Sequence, residues 1–298
     1  MEAAAKLNEM PLRCRLYEKE PWHSKGLRVL PVDNYLLLYL PVENKETVAI
    51  IRIMYGGRDI EKRLKRNRNG GSSIVENYDI IKTDFNEIAE LGSDPKWNHN
   101  NCYFPYLLRH IPLDVRTCLD IGYGKGELTA LLAKKANKVI AVDLSDKMIE
   151  YARSNNAAEN IEYICGNILY MDFAPSSFDI IISTATAHHL PYDWLLEFAK
   201  DKLCPGGKLI LLDLAKAHSI TDYMVWGFAA LPNVIMSLIK NGRLHKDDPH
   251  ATEVWRKHGE HDSLMTLREI RSLAAKHIPG ATVRRKLFWR YSLIWEKK

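Results

Sequence analysis

The sequence predicts an α/β protein whose central sheet is mostly parallel, preceded by a small N-terminal antiparallel β segment. Three observations lead to this fold class. From Asn77 onward, short apolar runs alternate with helical segments, a pattern typical of βαβ units. A glycine-rich turn follows the first of those runs, and a Gly/Ser stretch at residues 70–73 separates them from a β-rich beginning. The 298 residues are enough for one large domain or two smaller ones.

The composition, with 46% apolar and 27% charged residues, is that of a folded globular protein and excludes a disordered or fibrous chain. The net charge of +5 is unevenly distributed, since residues 1–73 contain 14 Lys and Arg against 9 Asp and Glu, whereas residues 74–298 contain 28 of each. We therefore divide the chain into an N-terminal segment 1–66, a linker 67–73 and a domain 74–298. The basic excess favours a phosphate backbone or an acidic protein as a partner of the first segment.

We expect a cytoplasmic protein that does not insert into a membrane. The N-terminus lacks the basic and apolar regions of a signal peptide. The longest apolar stretch, Val225–Ile239, is interrupted by Pro232 and Asn233 and is shorter than the roughly 20 residues of a spanning helix. The five cysteines are scattered and never spaced as C-x-x-C, which favours reduced thiols.

The elements follow in order from the apolar pattern. In the N-terminal segment, the β-rich runs 27–40 and 47–55 predict an antiparallel pair. In the domain, we predict five strands and three intervening helices: Thr117–Ile121, Lys138–Asp143, Ile161–Cys165, Phe178–Ser183 and Gly207–Leu212 as strands, and Gly126–Ala136, Asp146–Asn155 and Tyr192–Lys202 as helices. Thr266 and Glu269 have the spacing of a capping box and predict a helix to about His277. Thr282–Trp289 and Tyr291–Glu296 predict a closing antiparallel strand or strand pair at a sheet edge.

The segment with the clearest chemistry is Cys118–Glu127, which joins a predicted strand to a predicted helix. Its glycines at 122, 124 and 126 allow a tight turn whose backbone approaches a ligand, with a helix N-terminus beyond it. Asp143 ends the next predicted strand, where a carboxylate can accept hydrogen bonds from the hydroxyls of a ribose. Dinucleotide sites have G-x-G-x-x-G, but here Glu127 stands where the third glycine would be.

The pattern D-x-G-x-G-x-G, which begins at Asp120, resembles the first motif of class I S-adenosylmethionine-dependent methyltransferases. Further matches follow at the Gly-Asn-Ile after the third strand, at the fourth strand, at the His-His-Leu that follows it, and at the Cys-Pro-Gly-Gly turn before the fifth. Asn167 stands where the family often has aspartate, so the adenine contact keeps a hydrogen-bonding group but loses a charge. The resemblance implies a Rossmann-like fold over residues 97–298 and S-adenosyl-L-methionine as cofactor. It implies a cofactor site formed by Asp120, Gly122, Tyr123, Gly124, Gly126, Asp143, Leu144, Asn167, Ile168, Ser183 and Tyr103.

Methyl transfer from a sulfonium mainly requires alignment of donor and acceptor, and a general base is needed only when the acceptor arrives protonated. The candidates for that base are His188, His189 and His218, with a structural or surface histidine as the alternative for each. The aromatic and Met-rich stretch 223–245 would cover the carboxyl ends of the strands and favours a small-molecule acceptor. The alternative for this stretch is a core helix or a dimer surface.

Four further histidines, at positions 245, 250, 258 and 261, are close in sequence but lack the spacing of a metal motif. We predict solvent-exposed loop histidines there and no metal site. Upstream of the first strand, His99 and Tyr103 lie in a segment that the family often folds over its cofactor. The alternative is that this segment only anchors an N-terminal helix on the sheet.

The beginning of the chain resembles the C-terminal half of a RelE/ParE-type toxin of toxin–antitoxin systems, over residues 2–64. The matching runs are Gly26–Tyr39 and Val48–Ile60. Arg58 matches a basic position of the ribonuclease members, but Leu36 stands where those members tend to have arginine. The resemblance implies a truncated toxin that keeps only the end of one helix, at Glu2 to Glu9. The alternative function is therefore a toxin–antitoxin interaction module in which residues 1–66 bind an antitoxin or RNA.

Overall fold

The computed structural model divides the chain into two compact units, Met1–Ile74 and Val75–Lys298. The residues that it describes are 14–18, 23, 26–32, 35–41, 48–55, 71–92, 95–218, 222, 224–225, 234–240, 249–260 and 262–298.

The first unit contains a four-stranded antiparallel sheet in the order β1-β2-β3-β4. Its strands are β1 Arg15–Leu16, β2 Arg28–Val32, β3 Tyr35–Pro41 and β4 Val48–Tyr55. The prediction of one strand over 27–40 is wrong, because this run contains β2 and β3, which pair with each other in antiparallel. Arg28 donates a hydrogen bond to the carbonyl of Cys14. The predicted helix Glu2–Glu9 and Arg58 lie outside the described residues.

A 20-residue helix, α1 Gly71–Glu90, includes the last three residues of the predicted linker 67–73. The flexible composition of Gly71, Ser72 and Ser73 therefore does not keep them out of the helix. The residues after them carry apolar side chains at helical spacing, and Ile81 and Ile88 are buried. This amphipathic pattern outweighs the low helix propensity of the first turn.

The second unit contains a seven-stranded sheet in the order β10-β11-β9-β8-β5-β6-β7. Its strands are β5 Val115–Ile121, β6 Ala136–Asp143, β7 Ile161–Cys165, β8 Phe178–Thr184, β9 Leu203–Leu214, β10 Thr282–Arg285 and β11 Arg290–Glu296. The five central strands pair in parallel, and β11 is antiparallel to both β9 and β10. The mostly parallel sheet and the closing strand pair at its edge are as predicted.

Helices pack against both faces of this sheet. They are α2 Phe104–Leu108, α3 Glu127–Leu132, α4 Asp146–Asn155, α5 Tyr192–Lys202, α6 Pro249–Glu260 and α7 Leu267–His277, and residues 234–240 are also helical. One buried cluster joins α5 and α7 to the sheet, and another joins α2 and α3 to it. The capping box is present, with the backbone N–H of Glu269 donating to Thr266 Oγ1 and the N–H of Thr266 donating to the Glu269 carboxylate.

The chain leaves β5 in one direction to β6 and β7, and it returns to the other side of β5 with β8 and β9. Such a reversal of strand order opens a crevice at the carboxyl ends of the strands, where ligands bind in open α/β sheets. The fold therefore places a site beyond the ends of β5, β6 and β8. Across the described residues, no helix is long and apolar enough to cross a bilayer.

Candidate functional site

A cavity of about 910 Å³ lies at the carboxyl ends of the central strands. Its walls come from α1, from the loops that follow β5, β6, β7 and β8, from α6, and from Trp289 and Arg290. Of the predicted cover 223–245, Val234 and Ser237 are among the residues that line it. The volume is near the upper end of the roughly 300–1,000 Å³ of small-molecule sites, so two small ligands can share it.

The glycine-rich loop forms one end of this cavity. Gly122 has φ +71°, and a Cβ there would stand 2.1 Å from Thr186 Oγ1, a separation that real Cβ atoms do not show. Gly124 also lines the cavity, and a Cβ on it would meet no atom within 4 Å. The loop therefore presents bare backbone to the cavity, and Thr186 is packed directly behind it.

Asp143 lies at the end of β6 with both carboxylate oxygens engaged by the backbone. The N–H of Gly124 donates to Oδ2 and the N–H of Ser145 donates to Oδ1, each at 2.9 Å. Burial raises the pKa of Asp143, although these backbone donors lower it. Each carboxylate oxygen has a further lone pair, so Asp143 can still accept hydrogen bonds from a ligand in the cavity.

Asp120 is 1% exposed and accepts a hydrogen bond from Thr129 Oγ1 at 2.7 Å. Burial raises its pKa to about 7, the Thr129 hydrogen bond lowers it, and the nearby Asp143 charge raises it further. Asp120 therefore ties the glycine loop to the first turn of α3. It also forms part of the cavity wall.

Eight of the eleven predicted cofactor residues line the cavity: Asp120, Gly122, Tyr123, Gly124, Asp143, Leu144, Asn167 and Ile168. The other three lie outside its lining. The hydroxyl of Ser183 donates to the carbonyl of Ile121 and that of Tyr103 to the carbonyl of Leu287. A Cβ on Gly126 would stand 2.9 Å from the Tyr163 hydroxyl, so this glycine allows close packing behind the loop.

An aromatic group closes the side of the cavity next to β11. His99 lines the cavity, and its ring stacks on Phe288 at a centroid distance of 4.9 Å. Phe288 and Trp289 both have positive φ, 57° and 59°, a strained conformation for bulky residues. Arg290, the first residue of β11, donates two hydrogen bonds to Asn100 Oδ1 at 2.7 and 3.0 Å. The segment before β5 is therefore held to β11 at the cavity.

Three imidazoles and one carboxylate meet in another part of the cavity wall, and we call His188, His189, His258 and Asp262 the histidine cluster. His188 and His189 come from the turn after β8, His258 comes from α6, and Asp262 follows α6. One ligand atom from each lies within 4.8 Å of those from the others. Their side chains are between 4% and 15% exposed, so the cluster is largely shielded from solvent.

Two carboxylates orient the histidines from behind. Nδ1 of His188 lies 2.7 Å from Oδ1 of Asp213, which is 1% exposed on β9. Nδ1 of His258 lies 3.4 Å from Oδ2 of Asp84 on α1. Burial disfavours the charged form of His188, but the carboxylates of Asp213 and Asp262 outweigh it and raise its pKa to about 9.

His189 differs from its neighbour. Neither of its ring nitrogens has a hydrogen-bond partner among the described residues, and both are buried. Burial lowers its pKa to about 3, and the positive charges of the neighbouring histidines lower it as well. The edge of the Phe85 ring packs against it at a centroid distance of 5.6 Å. His189 is therefore a neutral imidazole.

The prediction of an exposed loop histidine is wrong at His258, which is 5% exposed and lies on α6; positions 245 and 261 lie outside the described residues. Sequence reasoning also missed Asp84, Asp213, Asp262 and Arg290. Asp213 has a usable signal, because it follows the apolar run of β9 as Asp143 follows that of β6. The other three come from distant segments and have no local signal.

Comparison with known proteins identifies a family for part of the chain. Residues 119–211 match the family described as "Methyltransferase domain". An uncharacterized methyltransferase of Mycobacterium tuberculosis is 28% identical over 203 residues, which cover 68% of this chain and 98% of that protein. The second unit is a class I S-adenosylmethionine-dependent methyltransferase domain. Its cofactor is S-adenosyl-L-methionine.

Other relatives of the methyltransferase differ in their named reactions. The ubiquinone/menaquinone biosynthesis C-methyltransferase of Hydrogenovibrio crunogenus is 24% identical over 240 residues, covering 76% of this chain and 88% of that protein. The solved N-methyltransferase NodS of Bradyrhizobium japonicum, in complex with S-adenosyl-L-homocysteine, is 15% identical with a TM-score of 0.48, covering 74% of this chain and 98% of that one. Residues 1–60 match the "ParE toxin of type II toxin-antitoxin system, parDE" family, so a toxin-like segment precedes the methyltransferase.

The cavity of the methyltransferase suits its cofactor. The bare backbone at Gly124 leaves room for a ligand, and the Asp143 carboxylate has free lone pairs at the same end. Apolar side chains of Leu144 and Ile168 stand beside it. A carboxylate that can accept hydrogen bonds from the two hydroxyls of a ribose, next to an apolar surface, fits a nucleoside.

Proposed function

We propose that the methyltransferase transfers a methyl group to a small-molecule acceptor bound at the histidine-cluster end of the cavity. One observation supports this most strongly. The glycine loop and the histidine cluster line the same cavity of about 910 Å³, which is large enough for a cofactor and a small acceptor together. A buried polar cluster in the same cavity suits a compact acceptor with one polar group.

The cofactor would bind near β5, where the strand order of the sheet reverses. Asp143 would accept the ribose hydroxyls, and Leu144 and Ile168 would contact the adenine, with Asn167 offering it a hydrogen bond. Gly122 and Gly124 would bring backbone N–H and C=O groups close to the amino-acid portion. S-adenosylmethionine supplies an electrophilic methyl group on a sulfonium, whose positive charge is lost on transfer.

At the acceptor end, the residues of this chain act by holding and orienting. His188 is fixed by its 2.7 Å contact with Asp213, and His189 presents ring nitrogens without another partner among the described residues. These groups would hold the polar atom of the acceptor, and the rings of Phe85 and Trp255, which contact His258 and line the cavity, would lie beside it. Fixing two reactants in this way can supply several kcal/mol of barrier reduction.

The test uses cofactor carrying a tritiated methyl group and a cell extract separated into low-molecular-weight, protein and nucleic-acid fractions. We expect label to enter the low-molecular-weight fraction with the intact protein, and the Asp143→Ala variant to transfer at least tenfold less. Glu162→Ala removes an exposed carboxylate on the neighbouring strand β7 and should leave transfer unchanged. Label found only in protein or nucleic acid would contradict a small-molecule acceptor.

The match of residues 1–60 to ParE toxins favours a second function, binding of an antitoxin by residues 1–66. A pull-down with the full chain and with a variant lacking residues 1–73 tests it. Capture of an antitoxin should require residues 1–73, while methyl transfer by the domain should persist without them. Capture of RNA instead of protein would contradict the antitoxin assignment.

A further inference from the structure

Beyond methyl transfer, we propose that the histidine cluster is a binding site for a divalent transition-metal ion of the zinc class. The ligands would be His188, His189, His258 and Asp262, whose candidate ligand atoms all lie within 4.8 Å of one another.

The distances around Asp262 Oδ1 have the size that a shared metal requires. It stands 3.4 Å from Nε2 of His188, 3.8 Å from Nε2 of His189 and 3.7 Å from Nε2 of His258. These separations exceed the roughly 2.7–3.2 Å of a hydrogen bond. Two atoms each about 2.0–2.2 Å from a tetrahedral zinc ion stand about 3.4 Å apart. The three distances to Asp262 Oδ1 are therefore close to the separation of two ligands on one ion and longer than a good hydrogen bond, and all four candidate ligand atoms lie within 4.8 Å of one another.

Unsatisfied polar atoms provide a second, independent observation. Both ring nitrogens of His189 and Oδ1 of Asp262 are buried without a hydrogen-bond partner among the described residues. The side chain of His189 is only 4% exposed. Leaving such groups unpaired in the interior of a protein is unfavourable. An ion bound by Nε2 of His189 and Oδ1 of Asp262 would satisfy one atom of each residue.

The groups behind the histidines also match those of a metal site. A metal-binding histidine usually donates its other ring N–H to a carboxylate, which fixes the orientation of the ring. Asp213 holds Nδ1 of His188, and Asp84 faces Nδ1 of His258, so both rings turn Nε2 toward Asp262. Three carboxylates, those of Asp84, Asp213 and Asp262, surround the three imidazoles.

The ligand set indicates which ions would bind. Three imidazole nitrogens and one carboxylate suit Zn²⁺, Fe²⁺ or Mn²⁺ better than Mg²⁺ or Ca²⁺, which prefer oxygen ligands. Because all four residues line the cavity, an ion there could also take an oxygen or nitrogen atom of the acceptor. That last role rests on the proposed function, whereas the metal site itself does not.

The decisive experiment measures metal binding by the intact protein without any methyl acceptor. After treatment with a chelator, the protein is titrated with Zn²⁺ and with Mg²⁺ in a calorimeter, and bound metal is counted by mass spectrometry. We expect about one Zn²⁺ per chain and at least tenfold weaker binding of Mg²⁺. Absence of Zn²⁺ binding by the wild-type protein overturns the proposal, whatever its activity.

Substitutions at two proposed ligands and at one supporting carboxylate test where the ion binds. His258→Gln and Asp262→Asn should each weaken Zn²⁺ binding at least tenfold, and Asp213→Asn, which alters only a supporting group, should weaken it about tenfold. His250→Gln is the matched control, because His250 is exposed on the same helix as His258 and outside the cluster. Unchanged Zn²⁺ binding by both cluster variants would overturn the site.

Binding of S-adenosylhomocysteine by each variant shows that it is folded and keeps the two proposals separate. If the wild-type protein does not bind S-adenosylhomocysteine, the cofactor site is contradicted and the metal site is not. If it binds S-adenosylhomocysteine but not Zn²⁺, the metal site is contradicted and the cofactor site is not.

Discussion

The two ends of the cavity are built in different ways. At the cofactor end, the glycine loop is a contiguous run that meets Asp143 from the next strand, and the parallel sheet brings such neighbours together. At the histidine-cluster end, His188 and His258 are 70 positions apart in sequence, and their supporting carboxylates come from α1 and β9. A local motif therefore identifies the first end, while the second depends on how distant segments pack.

The largest effect is expected at the cofactor end, from Gly122→Ala. The new Cβ would overlap Thr186 and the backbone would be held at an unfavourable φ, so we expect S-adenosylhomocysteine binding to fall at least 100-fold, about 2.7 kcal/mol. Calorimetry measures this loss. Gly206→Ala is the control, since Gly206 also has positive φ but its Cβ would meet nothing within 4 Å. Equal loss of binding in both variants would contradict a contact-specific role for Gly122.

A smaller effect, confined to the other end, is expected from Asp213→Asn. The change removes the charge that orients His188 while keeping a side chain of the same shape. Methyl transfer in the extract assay should fall at least tenfold, while the affinity for S-adenosylhomocysteine changes less than threefold. A parallel loss of both would show that the two ends are not separable and that Asp213 acts through the fold.

The buried carboxyl group of Asp120, at the cofactor end, makes the stability of the folded protein depend on pH. Its folded-state pKa of about 7 lies above the ordinary 3.8, so on raising the pH the unfolded chain loses this proton first. Stability attributable to Asp120 is therefore full below about pH 4 and is lost as the pH rises to 7. The melting temperature of Asp120→Asn, measured without cofactor, should exceed that of the wild type by a margin that grows between pH 4 and 7. A margin independent of pH would contradict this assignment.

The smallest effect is expected away from both ends, from Thr266→Ala. The substitution removes the capping box of α7 and should cost about 1 kcal/mol, lowering the melting temperature by roughly 2–4 °C. Thermal unfolding with and without S-adenosylhomocysteine checks it, and the affinity should be unchanged. A tenfold loss of affinity for S-adenosylhomocysteine would contradict this prediction and would mean that α7 also supports the cofactor site.

Much of the second unit could be predicted from the sequence because parallel strands are continuous apolar runs and helix ends carry caps. The boundaries of α4, α5 and β7 agree with the prediction, and so does the capping box of α7. The hairpin within 27–40 was missed because both of its strands are apolar. Gly126 was predicted to face the ligand, but glycine in a loop serves packing as readily as binding.

The histidine cluster shows where sequence reasoning ends. The place of His188 and His189 after the fourth parallel strand indicates a site, whereas the neighbours of His258 in sequence indicate only an exposed residue. Its burial depends on α1 and the turn after β8, which supply Phe85 and His189 around it. Only the packing of distant segments reveals that three imidazoles and Asp262 converge.

The cofactor site is tested directly by calorimetric titration of the intact protein with S-adenosylhomocysteine, repeated with Asp143→Ala and with Glu162→Ala. We expect saturable binding to the wild type and to Glu162→Ala, and at least tenfold weaker binding to Asp143→Ala, about 1.4 kcal/mol. Absence of binding by the wild type, or equal affinity in all three proteins, would contradict a cofactor site at the end of β6.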